Sequence, residues 1–103
     1  MTGFTPSSCA VTGTTADLDM VDQASPSAPY QFSPRTLDIR CGDAVHVKNS
    51  STAPHTWSPS HGGFRDSGNL DPGDGYGYTF RYRGTYRFYC AYHPYMTGEV
   101  VVS

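Results

Sequence analysis

The chain has 103 residues, 11 of them glycine and 8 proline, and a formal net charge of −2. That length allows one domain with one modest core, and the near-neutral charge gives no grounds for a nucleic-acid or anionic-membrane partner. No apolar run approaches a membrane span; no window holds a sustained 3.6-residue apolar period, so turns and short strands are favoured over helices.

Residues 1–15 are rich in Thr, Ser and Gly and are expected to form a flexible N-terminal arm, followed by one folded domain over 16–103. No apolar stretch precedes Cys9, so that cysteine does not read as a lipidation site. Ala16–Val21 alternates, with Leu18 and Met20 on one face and Asp17 and Asp19 on the other, which predicts a half-buried strand. Ser25–Pro29 breaks the pattern and must be loop. Tyr30–Phe32, a break at Ser33–Pro34 and then Leu37–Cys41 read as one bent strand, with Leu37, Ile39 and Cys41 inward. After a turn at Gly42–Asp43, Ala44–Asn49 is a strand with Val45 and Val47 inside and His46 facing solvent beside Lys48. Ser50–Pro54 is a loop ending at His55, and Thr56–Ser58 reads as a short strand. His61 falls in a flexible turn and is expected at the surface. Tyr76, Tyr78, Phe80 and Tyr82 alternate along one face, where core packing is favoured over base stacking. Tyr86, Phe88 and Cys90 share the inner face of the next strand, and Gly98–Val102 forms the last. About eight strands with these turn spacings predict an all-β Greek-key sandwich.

The chemistry concentrates in Cys90-Ala91-Tyr92-His93-Pro94-Tyr95-Met96, a tight loop between two strands. Cys, His and Met are the soft and borderline donors of a mononuclear copper site, which needs a second imidazole and a weak axial thioether. His55, 35 residues upstream of Cys90, is the candidate for that imidazole. Zinc also accepts Cys and His, but its tetrahedral structural sites rarely use Met. With Cys90 on a metal, Cys9 and Cys41 remain. A disulfide between them is expected and would suit an oxidising compartment; the alternative is two thiols, with Cys41 a small buried apolar residue.

Ala53-Pro54-His55, Gly84-Thr85-Tyr86-Arg87-Phe88-Tyr89-Cys90 and the Cys-x2-His-x2-Met loop resemble the cupredoxins, the type 1 blue copper proteins. Among these, which include amicyanin, plastocyanin and pseudoazurin, the short ligand loop resembles that of amicyanin more than those of plastocyanin or azurin, whose loops are longer. The resemblance implies a sandwich holding one Cu(I)/Cu(II) ion through His55, Cys90, His93 and Met96. It implies that Thr56, after the first His, donates its N–H to the Cys90 sulfur, a place where family members often carry Asn. Asn49, at a strand end near the site, reads as a loop brace or a turn residue. Tyr92 stands where amicyanin and plastocyanin have Pro; it keeps an N–H, and a second N–H···S bond is expected from it. In short-loop members the loop His can leave Cu(I) and take a proton, so the resemblance implies such a proton switch at His93, with Pro94, Tyr92 and Tyr95 as the features that would suppress it.

An electron carrier, not an enzyme, follows from this resemblance. The flanks of Cys90 are Tyr89 and Ala91 rather than His, which disfavours a domain of a larger copper oxidase. A transient redox partner would dock on Pro54, Pro94 and Tyr95, in a small and short-lived complex, with the carrier itself a monomer. A periplasmic or extracellular location is expected, with tethering through a removed N-terminal segment as one option. The second reading is a protein that buffers or delivers copper. Exposed Met or His clusters would favour it, and only His46 and His61 stand outside the predicted site.

Overall fold

A computed structural model describes residues 7–103. Among them there is no helix, and eight strands make two four-stranded sheets. The first sheet runs β2 (Tyr30–Ser33), β1 (Thr15–Asp22), β4 (Ala44–Asn49), β6 (Gly75–Thr79). The second runs β3 (Thr36–Ile39), β8 (His93–Val102), β7 (Gly84–Cys90), β5 (Ser58–Pro59). β1 pairs parallel with β4 and β3 parallel with β8; every other neighbouring pair is antiparallel. The chain is an all-β sandwich, as the strand periodicity predicts.

The alternation in β1 and β4 carries directly into burial: Leu18, Met20, Val45 and Val47 are buried and His46 and Lys48 exposed. Trp57 sits at the centre of the aromatic core, fully buried, with ring centroids of Phe64, Phe88, Tyr76 and Phe80 4.4, 5.9, 6.0 and 6.2 Å away. Burial of such side chains, about 1.5–3 kcal/mol each, is the main favourable term in a domain of this size.

Three expectations are corrected. The bent strand from Tyr30 to Cys41 is two strands in different sheets, because the chain crosses from the first sheet to the second between Ser33 and Thr36. The strand read at Thr56–Ser58 is reduced to Ser58–Pro59: His55 is engaged in an isolated bridge with Leu70, and the chain joins β7 only after Trp57. The aromatic stripe ends at Phe80, since β6 stops at Thr79 and Tyr82 is exposed.

The expected arm over residues 1–15 lies partly outside the described residues. Its described part runs along the sandwich: Cys9 is disulfide-bonded to Cys41, its N–H donates to the carbonyl of Arg81, and the Thr12 N–H donates to that of Gly42. β1 begins at Thr15.

Candidate metal centre

Two loops at one end of the sandwich supply the donors. The first follows β4. Asn49, buried at the strand end, donates through Nδ2 to the carbonyls of Ala53 and Leu70, both at 2.8 Å. Its Oδ1 accepts from the N–H and hydroxyl of Ser51 at 3.0 and 2.6 Å. All four hydrogen bonds are internal, so a buried amide that would be costly unpaired fastens the loop instead. His55 and Leu70 exchange backbone bonds of 3.0 and 2.8 Å, so the segment clamped by Asn49 also fixes the His55 backbone.

The second loop is the β7–β8 hairpin. Cys90 pairs with His93 across the two-residue turn Ala91–Tyr92, while the preceding residue, Tyr89, pairs with Thr97. The shift loops out Pro94–Met96 as an enlarged bulge, a device that re-aims side chains at a sheet end. Pro94 and Tyr95 are exposed and Met96 is buried. His93 and Met96 therefore lie within β8, not in a free loop.

His55, Cys90 and His93 converge. Cys90 Sγ is 3.6 Å from Nδ1 of His55 and 3.6 Å from Nδ1 of His93, and the two Nδ1 atoms are 3.1 Å apart. Donors about 2.0–2.3 Å from one ion and spread by roughly 100–120° are about 3–4 Å apart, so the spacing fits a single first-row metal. His55 and Cys90 are fully buried and His93 is half-exposed. Burial, together with the neighbouring His93, pushes His55 down from its ordinary 6.5 to about 4, with Asp22 pulling the other way. At neutral pH its imidazole keeps a lone pair for a metal.

The Thr56 N–H donates to Cys90 Sγ at 3.3 Å. Its hydroxyl accepts from the Ala91 N–H at 2.8 Å and contacts Ser58 Oγ at 2.9 Å. The hydroxyl thus links the two donor loops. The second N–H···S bond expected from Tyr92 is absent among the described residues. In the tight turn the N–H next to Cys90, that of Ala91, goes to Thr56, and Tyr92 swings outward to donate its hydroxyl to Asn69 Oδ1 at 2.9 Å. The His93 ring packs on Tyr30 at 4.8 Å and Tyr95 at 6.1 Å. Pro54 is exposed beside His55, while His46 and His61 are exposed and outside the cluster. Sequence reasoning missed Tyr30, whose only signal was a large aromatic opening a strand at the site end.

A family model described as a cupredoxin-like domain matches residues 3–102. Among solved structures, the chain is similar to a purple cupredoxin from Nitrosopumilus maritimus, with 27% identity and a TM-score of 0.74 over 85% of this chain and 99% of that one. It is also similar to a variant of amicyanin in its Cu(I) form, with 26% identity and a TM-score of 0.72 over 96% and 94% of the two chains. A reduced form of another amicyanin variant gives 26% identity and a TM-score of 0.71 over 94% and 92%. With its sandwich, its His-Cys-His cluster and a family match along nearly the whole sequence, the chain belongs to the cupredoxin-like domain family.

Proposed function

We propose that the protein is a type 1 blue copper electron carrier, holding one copper ion through His55, Cys90 and His93 with Met96 as a weak axial donor. The observation that carries this reading is the triangle of two Nδ1 atoms and one Sγ with sides of 3.1, 3.6 and 3.6 Å. Copper in such a set moves between Cu(I) and Cu(II) with little rearrangement. The chain's own contribution is positioning and exclusion. Asn49 and the Leu70 bridge hold His55 in place, and the Thr56 N–H withdraws charge from the thiolate, which favours the reduced ion. Met96, buried at 1% exposure, would complete the shell and leave no position for a substrate. This supports electron transfer over catalysis.

Half-exposed His93, followed by exposed Pro94 and Tyr95, with exposed Pro54 next to His55, is the point where an electron would leave, and these side chains would suit brief docking of a redox protein. The disulfide supports a periplasmic or extracellular setting.

The test is titration of metal-free protein with Cu(II). One equivalent should give an intense thiolate-to-copper band in the visible, and Cys90→Ser should abolish it; a band that survives that change sinks the reading. A carrier should keep its copper on reduction in the presence of a chelator and exchange electrons rapidly. Ready loss of Cu(I) would favour buffering or delivery instead.

A further inference from the structure

One aromatic ring touches both imidazoles. Tyr30, the first residue of β2, sets its ring centroid 4.9 Å from that of His55 at 69° and 4.8 Å from that of His93 at 55°. The imidazoles are themselves 4.9 Å apart at 61°. The three rings make a nearly equilateral triangle, each steeply tilted to the others, in the range where aromatic edges and faces attract. Tyr30 is held by its register opposite Asp22 in the first sheet. Its backbone is therefore paired to neither the β7–β8 hairpin nor the loop that carries His55. The core is filled by its neighbour Phe32, at 1% exposure, whereas Tyr30 is only half-buried.

A ligating imidazole is ordinarily oriented by a hydrogen bond from its other nitrogen. That device is missing at His55: Nε2 is buried and has no hydrogen-bond partner among the described residues. His93 is half-exposed and rides on a two-residue turn. Both rings thus need another means of fixing their planes, and Tyr30 is the group in contact with both. Tyr30 also borders a cavity of about 120 Å³ lined by Gln23, Tyr95 and Met96 among others, and neither imidazole lines that cavity.

We propose that Tyr30 is a positioning residue of the metal centre. Its ring holds the planes of His55 and His93 toward their shared ligand position and screens them from small molecules in the adjoining cavity. The proposal rests on the copper reading above. The contacts run through the ring, so phenylalanine should serve as well as tyrosine.

Metal-free wild-type protein, Tyr30→Phe and Tyr30→Ala are compared by NMR, then loaded with Cu(II) for visible and EPR spectra with and without azide. In the wild type, Tyr30 ring protons should give cross-relaxation peaks to both imidazoles. Tyr30→Phe should keep those peaks, the wild-type spectra and indifference to azide. Tyr30→Ala should shift the thiolate band, change the copper hyperfine splitting and gain a new band on adding azide. If that variant does not fold, Tyr30→Leu, which keeps bulk without a flat ring, carries the same expectation. A lower melting temperature with unchanged spectra and no azide response would mean that the ring only packs, and would overturn the proposal. Missing cross-relaxation peaks in the wild type would overturn it too. A wild type that shows those peaks but no thiolate band defeats the copper reading and leaves the ring contacts standing, since the metal-free NMR reports the contacts by themselves.

Discussion

The donor set uses a histidine whose own titration couples the site to stability. His55 is fully buried, and its folded pKa falls to about 4 from 6.5, chiefly by burial and then by the nearby His93. Between those two values the unfolded chain binds a proton that the folded chain refuses. Unfolding therefore takes up protons there, and stability rises with pH. The contribution is complete above pH 6.5 and is lost as pH falls toward 4. Metal-free protein should melt at a progressively lower temperature from pH 6.5 down to about pH 5, a window in which exposed carboxylates remain ionised. His55→Gln should flatten that part of the profile. A wild-type melting temperature that stays level across the window would show that His55 is not held neutral. Three of the residues singled out in the sequence, His55, Cys90 and His93, do meet in the structure. The orienting contacts were not legible there. The Ala91 N–H to Thr56 and the ring of Tyr30 against both imidazoles depend on how separate segments meet, which no local pattern encodes.

At the level of elements, period-two alternation fixed which face of β1, β4 and β7 is buried, but not which strand lies beside which. Parity assigns a side chain to a face; partner and register come from long-range pairing. Hence Tyr30–Cys41 read as one strand although its halves join different sheets. Phe64 was invisible for a related reason. It lies in the loop between β5 and β6, outside any alternation, and folds over Trp57 with centroids 4.4 Å apart. The glycines of β6 and β8 show how much element packing differs by position. A Cβ at Gly98 would lie 2.6 Å from the Arg35 carbonyl oxygen and 2.7 Å from the Phe88 ring, between the chain leading into β3 and the core face of β7. A Cβ at Gly77 would meet nothing nearer than the Val45 carbonyl oxygen at 3.9 Å. Gly98→Ala should thus cost about 1–3 kcal/mol through overpacking, whereas Gly77→Ala should stay within about 0.5 kcal/mol of wild type. Denaturant melts of the two variants check this; equal stabilities would mean that β8 yields where the geometry says it is wedged.

For the molecule as a whole, the two ends of the sandwich carry separate tasks. β1 and β4 run parallel, from Thr15 beside Ala44 to Met20 beside Asn49. The Asn49 end holds the donors. The Ala44 end holds the disulfide, where β3 has just finished, β4 is about to begin and β8 runs out beside Ile39. The Cys9–Cys41 bridge was expected from cysteine arithmetic and is present, with a sequence separation of 32. It fastens a segment that is otherwise tied by hydrogen bonds, among them the Cys9 N–H to the Arg81 carbonyl at 2.7 Å, Arg81 Nε to the Cys9 carbonyl at 2.9 Å, the Thr12 N–H to the Gly42 carbonyl at 3.1 Å, the Thr12 hydroxyl to Asp43 and the Ala44 N–H to the Thr14 carbonyl at 2.9 Å. Closing a loop of that size in the unfolded chain is worth about 3–4 kcal/mol in the chain-entropy account. The double variant Cys9→Ser, Cys41→Ala should therefore melt well below wild type, and amides of residues 7–14 should lose exchange protection first. The donor end should remain intact, because Asn49, the Leu70 bridge and the β7–β8 hairpin make no use of the disulfide. At temperatures where it stays folded, the double variant should still bind Cu(II) with the wild-type thiolate band. An unchanged melting temperature would contradict the stabilising role of the bridge, and a folded variant with an altered band would show that the two ends are coupled after all.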